Sequence, residues 1–216
     1  MNQQKLFTVS HVLAAVCLTL FCITGAVIFT LHFRPLFYFD IDYLGIPQLS
    51  GIPKEDILAN YNALIDYNSL FMQGELQFPT LPMSEAGRIH FEEVKNIFIG
   101  VKILFILSLF GSAVFIMRKL RQRDVLFFKL SALFTIGIPV ILGSLIALNW
   151  NSFFVTFHKI FFRNEYWMFD SQTDPVINML PDTFFMHSAL LILALIICSS
   201  IILFLAGKFL QKKLNP

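Results

Sequence analysis

Residues 150–167 read WNSFFVTFHKIFFRNEYW. The stretch is dense in Phe and ends in Tyr166 and Trp167, yet it carries Lys159, Arg163 and Glu165, so it is not a membrane span. It directly follows a long apolar run, at the point where a chain leaves hydrocarbon for headgroups. Trp and Tyr favour that depth because their rings are apolar with a polar handle. On a helix, Phe154, His158, Phe161, Phe162 and Glu165 fall on one side by i, i+3, i+4 spacing. The pattern predicts one imidazole, His158, on an aromatic face at a membrane surface.

Working outward, 56% of the 216 residues are apolar. Four runs are long enough to cross about 30 Å of hydrocarbon: 9–33, 96–117, 125–148 and 184–207. The first exceeds a signal-peptide core and lacks a small-x-small cleavage site, which predicts a retained signal-anchor. Cys22 follows Leu20-Phe21, without the small residues that precede a lipidated Cys. Basic residues cluster at Lys5, at Arg118, Lys119, Arg121 and Arg123, and at Lys208, Lys212 and Lys213, with Asp124 the only acid among them. The remaining acids all lie in 34–95 and 149–183. This asymmetry predicts that residues 1–33 hold a cytoplasmic N-terminus and the first span, with the 118–124 turn and the 208–216 tail also cytoplasmic. The 34–95 and 149–183 segments then face outward from a bacterial cell membrane. Basic residues against the inner leaflet attract anionic lipid, not nucleic acid. Cys17, Cys22 and Cys198 fall inside predicted spans, so the outward segments have no disulfide to form.

The 34–95 segment is too patterned for a floppy loop. Phe37, Phe39, Ile41 and Tyr43 alternate with Tyr38, Asp40 and Asp42, a period-two strand signal broken by Gly45, Pro47 and Gly51. A helix starts at Pro53-Lys54-Glu55-Asp56, with Ile57, Leu58, Tyr61, Leu64 and Ile65 at amphipathic spacing. A short extended piece follows at 76–78. The fold expected is therefore an α-helical integral membrane protein: four transmembrane helices with a small extracytoplasmic α/β cap. About 60 residues bury little core alone, so the cap must lean on the spans.

Ser84 is a good N-cap for a helix over 85–95 that runs into the second span. On it His90, Val94, Ile97 and Val101 share a face, which puts His90 about 9 Å above hydrocarbon that begins near Asn96. Lys102, inside the span, is expected to snorkel outward. Thr24 and Gly25 are small enough for close helix approach, and Pro139 with Gly137 and Gly143 predicts a kink. Residues 168–181 read as a loop, and His11 and His32 as interfacial residues at the ends of the first span.

Two outward imidazoles at headgroup depth suit ester chemistry, because His takes and returns protons near neutral pH. With no GxSxG elbow and no outward Cys, a substrate that brings its own nucleophile fits better than an acyl-enzyme. Other readings stay open. His90 and His158 are polar interface residues in one. His90, Glu93 and His158 are zinc ligands in another. His32 and His187 are axial haem ligands in a third.

Two motifs stand out, Glu85-x4-His90-Phe91-Glu92-Glu93-Val94-Lys95 and Phe157-His158-Lys159-Ile160-Phe161-Phe162-Arg163-Asn164-Glu165-Tyr166-Trp167. Through them the chain resembles the bacterial lipoprotein intramolecular transacylase family, Lit, over essentially its whole length. Asn60-Tyr61-x5-Tyr67 and Asp170-x3-Asp174 with Pro181 also fit, and Asp is expected where this chain has Glu93 and Glu165. The resemblance implies transfer of the sn-2 acyl chain of an S-diacylglyceryl group to the α-amino group of the same N-terminal Cys, without metal or cofactor. The substrate would be a diacylglyceryl-modified lipoprotein within membrane lipid, and the enzyme a monomer. By matching, His90 and His158 are catalytic. Tyr67, Phe157, Phe161, Trp167, Arg163 and Asn164 are candidates to bind substrate, with Glu93 and Asp170 supporting the histidines. A lipid esterase, an intermolecular acyltransferase and a non-catalytic assembly or sensing protein are the alternatives.

Overall fold

The computed structural model describes residues 8–214 and is helical throughout. In chain order the helices are α1 (Val9–His32), α2 (Arg34–Tyr43), α3 (Ile46–Ser50), α4 (Lys54–Tyr67), α5 (Glu85–Arg121), α6 (Leu126–Leu148), α7 (Trp150–Phe161), α8 (Val176–Met179) and α9 (Asp182–Leu214). Of these, α1, α5, α6 and α9 are long and apolar enough to cross a membrane. Two compact units are built from them. One comprises 8–28, 101–147 and 190–214, and the other comprises 29–100 and 148–189.

The first unit leaves large apolar side chains such as Ile103, Leu107, Phe110, Leu133, Ile202 and Phe209 exposed, as lipid-facing helices do. Its helices meet over small residues and hydroxyls. A Cβ on Gly25 would lie 3.3 Å from Phe105, and one on Gly207 only 2.9 Å from Phe128. Thr19 and Thr135 share a hydroxyl contact of 3.2 Å, and Ser200 Oγ donates to the Ala132 carbonyl at 2.8 Å. His11 finds a buried partner, its Nε2 lying 2.6 Å from Asp124 Oδ2, where Lys119 Nζ also donates at 3.3 Å. Lys102 is buried and engaged within the protein, as a helix-packed ammonium requires.

The second unit overturns the mixed α/β cap, since the described residues contain no strand. Residues 37–43 belong to α2, which has Pro35 in its first turn. Their alternation is ambiguous because Phe37 and Ile41, four residues apart, form a helical face as readily as alternate strand positions do. In the helix these two are buried with Asp40, while Phe39 and Tyr43 stack on each other outside at 5.1 Å. The extended piece at 76–78 pairs with nothing either, although Leu76 is buried.

Phe37 sits at the middle of this unit's core, its ring stacked on Tyr61 at 3.9 Å and edge-on to Phe184 at 4.9 Å. Around them pack Ile41, Ile46, Ile57, Leu64, Phe91, Val176 and Met179, from five different helices. Polar groups brace the irregular 68–84 segment from beneath. Buried Asn60 donates to Thr80 Oγ1 at 2.6 Å and accepts from the Thr80 backbone N–H at 3.2 Å. Asp40, fully buried, accepts from His187 Nδ1 at 2.9 Å, so His187 serves the cap's packing.

The helical register of α2 is directly testable. Phe37→Ala should destabilise the protein by about 3–5 kcal/mol, as for a large aromatic removed from a core. Phe39→Ala should cost well under half of that. Comparable losses in thermal unfolding of the two purified variants would contradict the helix.

Candidate active site

The site lies entirely in the second unit, where the start of α5 meets α7 and the chain that follows it. Helix α5 is one unbroken run of 37 residues, and His90 stands on its charged opening turns, ahead of the apolar run that begins at Asn96. Ser84 caps it, its Oγ accepting from the Gly87 backbone N–H at 3.0 Å. The buried Asp174 carboxylate accepts from the Ser84 backbone N–H at 2.8 Å and from Thr173 Oγ1 at 2.8 Å. The fit at Gly87 is so close that a Cβ there would overlap Asp174 Oδ1. The chain after α7 is thereby pinned to the helix that carries His90.

Helix α7 starts at Asn149, whose side chain accepts from the Ser152 backbone N–H, and it ends earlier than the aromatic pattern suggested. Phe162 leaves the helix in extended conformation and turns inward. It is buried, with its ring 4.6 Å from His90 and 5.7 Å from His158. Phe169 meets the His90 ring edge-on at 5.4 Å. His158 is held between Phe154 at 4.2 Å and Trp167 at 4.8 Å. The two imidazole rings lie 6.3 Å apart with 30° between their planes.

Hydrogen bonding distinguishes the two rings. His158 Nδ1 lies 2.8 Å from the Phe154 carbonyl oxygen. A carbonyl only accepts, so Nδ1 carries the proton and Nε2 keeps its lone pair. His90 Nδ1 is buried and has no partner among the described residues. Burial pushes His90 down to about 4, and the neighbouring His158 adds to the shift. Burial also lowers His158, while the bond to Phe154 opposes the change. Both rings are therefore neutral at pH 7, each with one N–H and one lone pair.

The other residues singled out from the sequence divide into two sets. Trp167 covers His158, Phe157 meets the same ring edge-on at 5.5 Å, and Phe161 packs on Phe157 at 4.6 Å, both Phe rings being half exposed. Asn164 Nδ2 donates to Glu93 Oε1 at 2.8 Å, which joins the post-α7 chain to α5. Tyr67 lies instead under Lys95, whose ammonium is 4.0 Å from the ring centre, beside a polar hollow lined by Glu75, Arg88 and Glu92. Asp170 is exposed and shapes a turn, accepting from the Gln172 backbone N–H. Arg163 is exposed. Phe162 and Phe169 had not been singled out for the site. Phe162 reads as one more position of a helix that in fact stops before it, and Phe169 sits in a loop without periodicity. Gly87 in a first helical turn was the one available signal of a close approach. Among the described residues no three of His, Cys, Asp and Glu come together to hold a metal ion, so His90, Glu93 and His158 form no zinc set.

Comparison with known proteins gives the class first, a membrane-integral acyltransferase. The chain belongs to the lipoprotein intramolecular transacylase family, Lit, whose family model matches residues 12–185. A solved structure of the membrane-integral lipoprotein intramolecular transacylase Lit from Bacillus cereus matches with a TM-score of 0.93 at 36% identity, covering 94% of this chain and 95% of that one. Two more structures of the Bacillus cereus protein, with a histidine replaced by arginine in one and by alanine in the other, each match with a TM-score of 0.87 at 36% identity. They cover 94% of this chain and 91% and 93% of theirs. A comparison with curated protein sequences returned no match.

The protonation state of His90 is measurable by carbon-13 NMR of histidine-labelled protein, with resonances assigned by single replacement of each of the five histidines. His90 should stay neutral as pH falls through 6.5 and titrate only towards about 4. An unfolded chain takes up that proton first, so His90 should subtract stability progressively from pH 6.5 down towards its folded value. A His90 midpoint near 6.5 would contradict the buried, neutral ring.

Proposed function

We propose that the chain moves the sn-2 acyl chain of a lipoprotein's S-diacylglyceryl group to the α-amino group of the same N-terminal Cys, leaving an N-acyl, S-monoacylglyceryl lyso-form. Family membership supports the reaction. The observation that carries the roles is a pair of imidazoles 6.3 Å apart inside an aromatic enclosure. His158 acts as the base, because the Phe154 carbonyl holds its Nδ1–H and leaves Nε2 free to accept.

The neutral amine attacks the ester carbonyl carbon, and His158 Nε2 takes the proton that the nitrogen loses as the N–C bond forms. His90 donates its N–H to the carbonyl oxygen as that atom becomes an oxyanion. The ester C–O bond then breaks and the proton on His158 passes to the glyceryl oxygen, so both rings end as they began. Nitrogen, Cα, Cβ, sulfur, two glyceryl carbons, ester oxygen and carbonyl carbon form an eight-membered ring at the tetrahedral stage. Such rings close slowly in a flexible chain, so holding amine and ester in contact supplies several kcal/mol of the barrier. Trp167, Phe157 and Phe161 do the holding and keep out water that would hydrolyse the ester. Arg163 is assigned to substrate binding, Asn164 holds Glu93, and Asp170 shapes the loop that carries Phe169. The charge asymmetry supports both termini in the cytoplasm and an outward-facing site. Both histidines come from one chain, so a single copy supplies the pair, and the chain is assigned to work as a monomer in contact with membrane lipid.

Tandem mass spectrometry of lipoprotein N-terminal peptides, from cells with and without the chain, is the test. Intramolecular transfer yields an isomer, so fragments bearing an amide-linked acyl chain at unchanged parent mass are expected. A parent heavier by one acyl chain would mean an external donor, and a lighter one an esterase. His90→Ala and His158→Ala should each lower transfer at least about 10²-fold; near-full turnover by either variant would end the two-histidine mechanism. Trp167→Ala should slow transfer or admit a hydrolysed product, and an unchanged rate and product would remove Trp167 from the site.

A further inference from the structure

One polar atom near the histidines is left over by the mechanism. Glu93 stands one helical turn beyond His90 on α5, on the same side of the helix by its i, i+3 spacing. Its Oε1 accepts from Asn164, but its Oε2 is buried and meets no hydrogen-bond donor among the described residues. The cations nearest in sequence are committed elsewhere. Arg88 pairs with Glu75, Glu85 and Glu92, and Lys95 donates to the Met72 carbonyl while lying over Tyr67. A buried carboxylate oxygen without a donor is costly, and Asn164 holds this one in place instead of letting it turn to water. That oxygen is suited to accept from a donor, preferably a cationic one.

We infer that Glu93 Oε2 receives the α-ammonium group of the substrate's N-terminal Cys. The inference rests on the transacylase reading and names the group that seats the nucleophile. An α-ammonium is the one cation that every substrate of this reaction must bring to the reacting centre, and it titrates near pH 8. A charge-assisted bond to a fixed carboxylate oxygen sets the nitrogen one helical turn from His90. The ammonium gives one proton to solvent to become the free amine, and the same oxygen then faces the positive charge that develops on nitrogen as that amine adds to the ester carbonyl. Asn164 acts through Glu93 as a positioning residue, since its amide decides which carboxylate oxygen is free. The acid also selects substrate: a lipoprotein already acylated on nitrogen has no ammonium to offer and is refused.

The test uses full-length protein in detergent micelles at pH 6.5, with two lipopeptides whose glyceryl chains are ether-linked and cannot be transferred. The two are alike except that one lacks the α-amino group. Wild type should bind the amine-bearing peptide about tenfold or more tightly, as a hydrogen bond to a charged group implies. Glu93→Gln should lose that preference while still binding the des-amino peptide as wild type does. Glu93→Asp, which keeps the charge, should retain most of the preference and guards against reading a folding defect as a binding one. Wild type without a preference, or Glu93→Gln with the preference intact, would overturn the role of Glu93 while leaving amide formation on ester-linked substrate untouched. A wild type that forms no amide at all would instead overturn the transacylase reading and this inference with it.

Discussion

The buried carboxylate of Asp174 holds the first turn of α5, and the geometry of the site follows from that grip. It reaches a backbone N–H ninety residues earlier in the chain, and Gly87 leaves it room to do so. Helix termini leave N–H groups unsatisfied, so an acid at this end gains both a hydrogen bond and a favourable dipole. Because α5 is stiff, fixing its first turn also fixes His90 and Glu93 further along. Because Asp174 lies on the chain that follows α7, the same bond brings Phe162, Trp167 and Phe169 to the helix. A second tie, from Asn164 to Glu93, closes the arrangement from the other side.

Inside that frame the side chains do two opposed things. Phe154, Phe162, Phe169 and Trp167 remove water from the imidazoles, which keeps them uncharged. Yet among the described residues the enclosure also leaves His90 Nδ1 and Glu93 Oε2 without partners, and both omissions are destabilising. A dry setting strengthens any bond that such atoms make. The bond that the Phe154 carbonyl makes with His158 selects one tautomer at no cost in burial, because donor and acceptor lie one helical turn apart on α7.

The cap shows where a pattern read from sequence alone gives way. Residues 37–43 satisfy a strand period and a helix face together, and no residue within the stretch breaks the tie. Pro35 in the first turn and the burial of Asp40 beside Phe37 and Ile41 do so, and the latter depends on His187 arriving from the start of α9. Phe162 is a similar case. Its neighbour Phe161 has the same chemistry, and no Gly or Pro marks the helix end between them. Only the space beside His90 decides that one ring is buried and the other exposed.

What the sequence determined by itself is whatever depends on composition over long windows. Four apolar runs and a basic bias in the short connections are legible because hydrocarbon thickness and the charge preference of the two membrane faces impose them over many residues. The motifs around His90 and His158 also carried the family. The tertiary structure decided which atoms meet: that the two imidazoles lie 6.3 Å apart, that Asp174 and not Asp170 holds α5, that Tyr67 belongs to Lys95, and that Glu93 has one oxygen without a donor among the described residues. Those are contacts between residues tens of positions apart, set by side-chain volume and hydrogen-bond direction, and neither quantity has a period that a linear sequence displays.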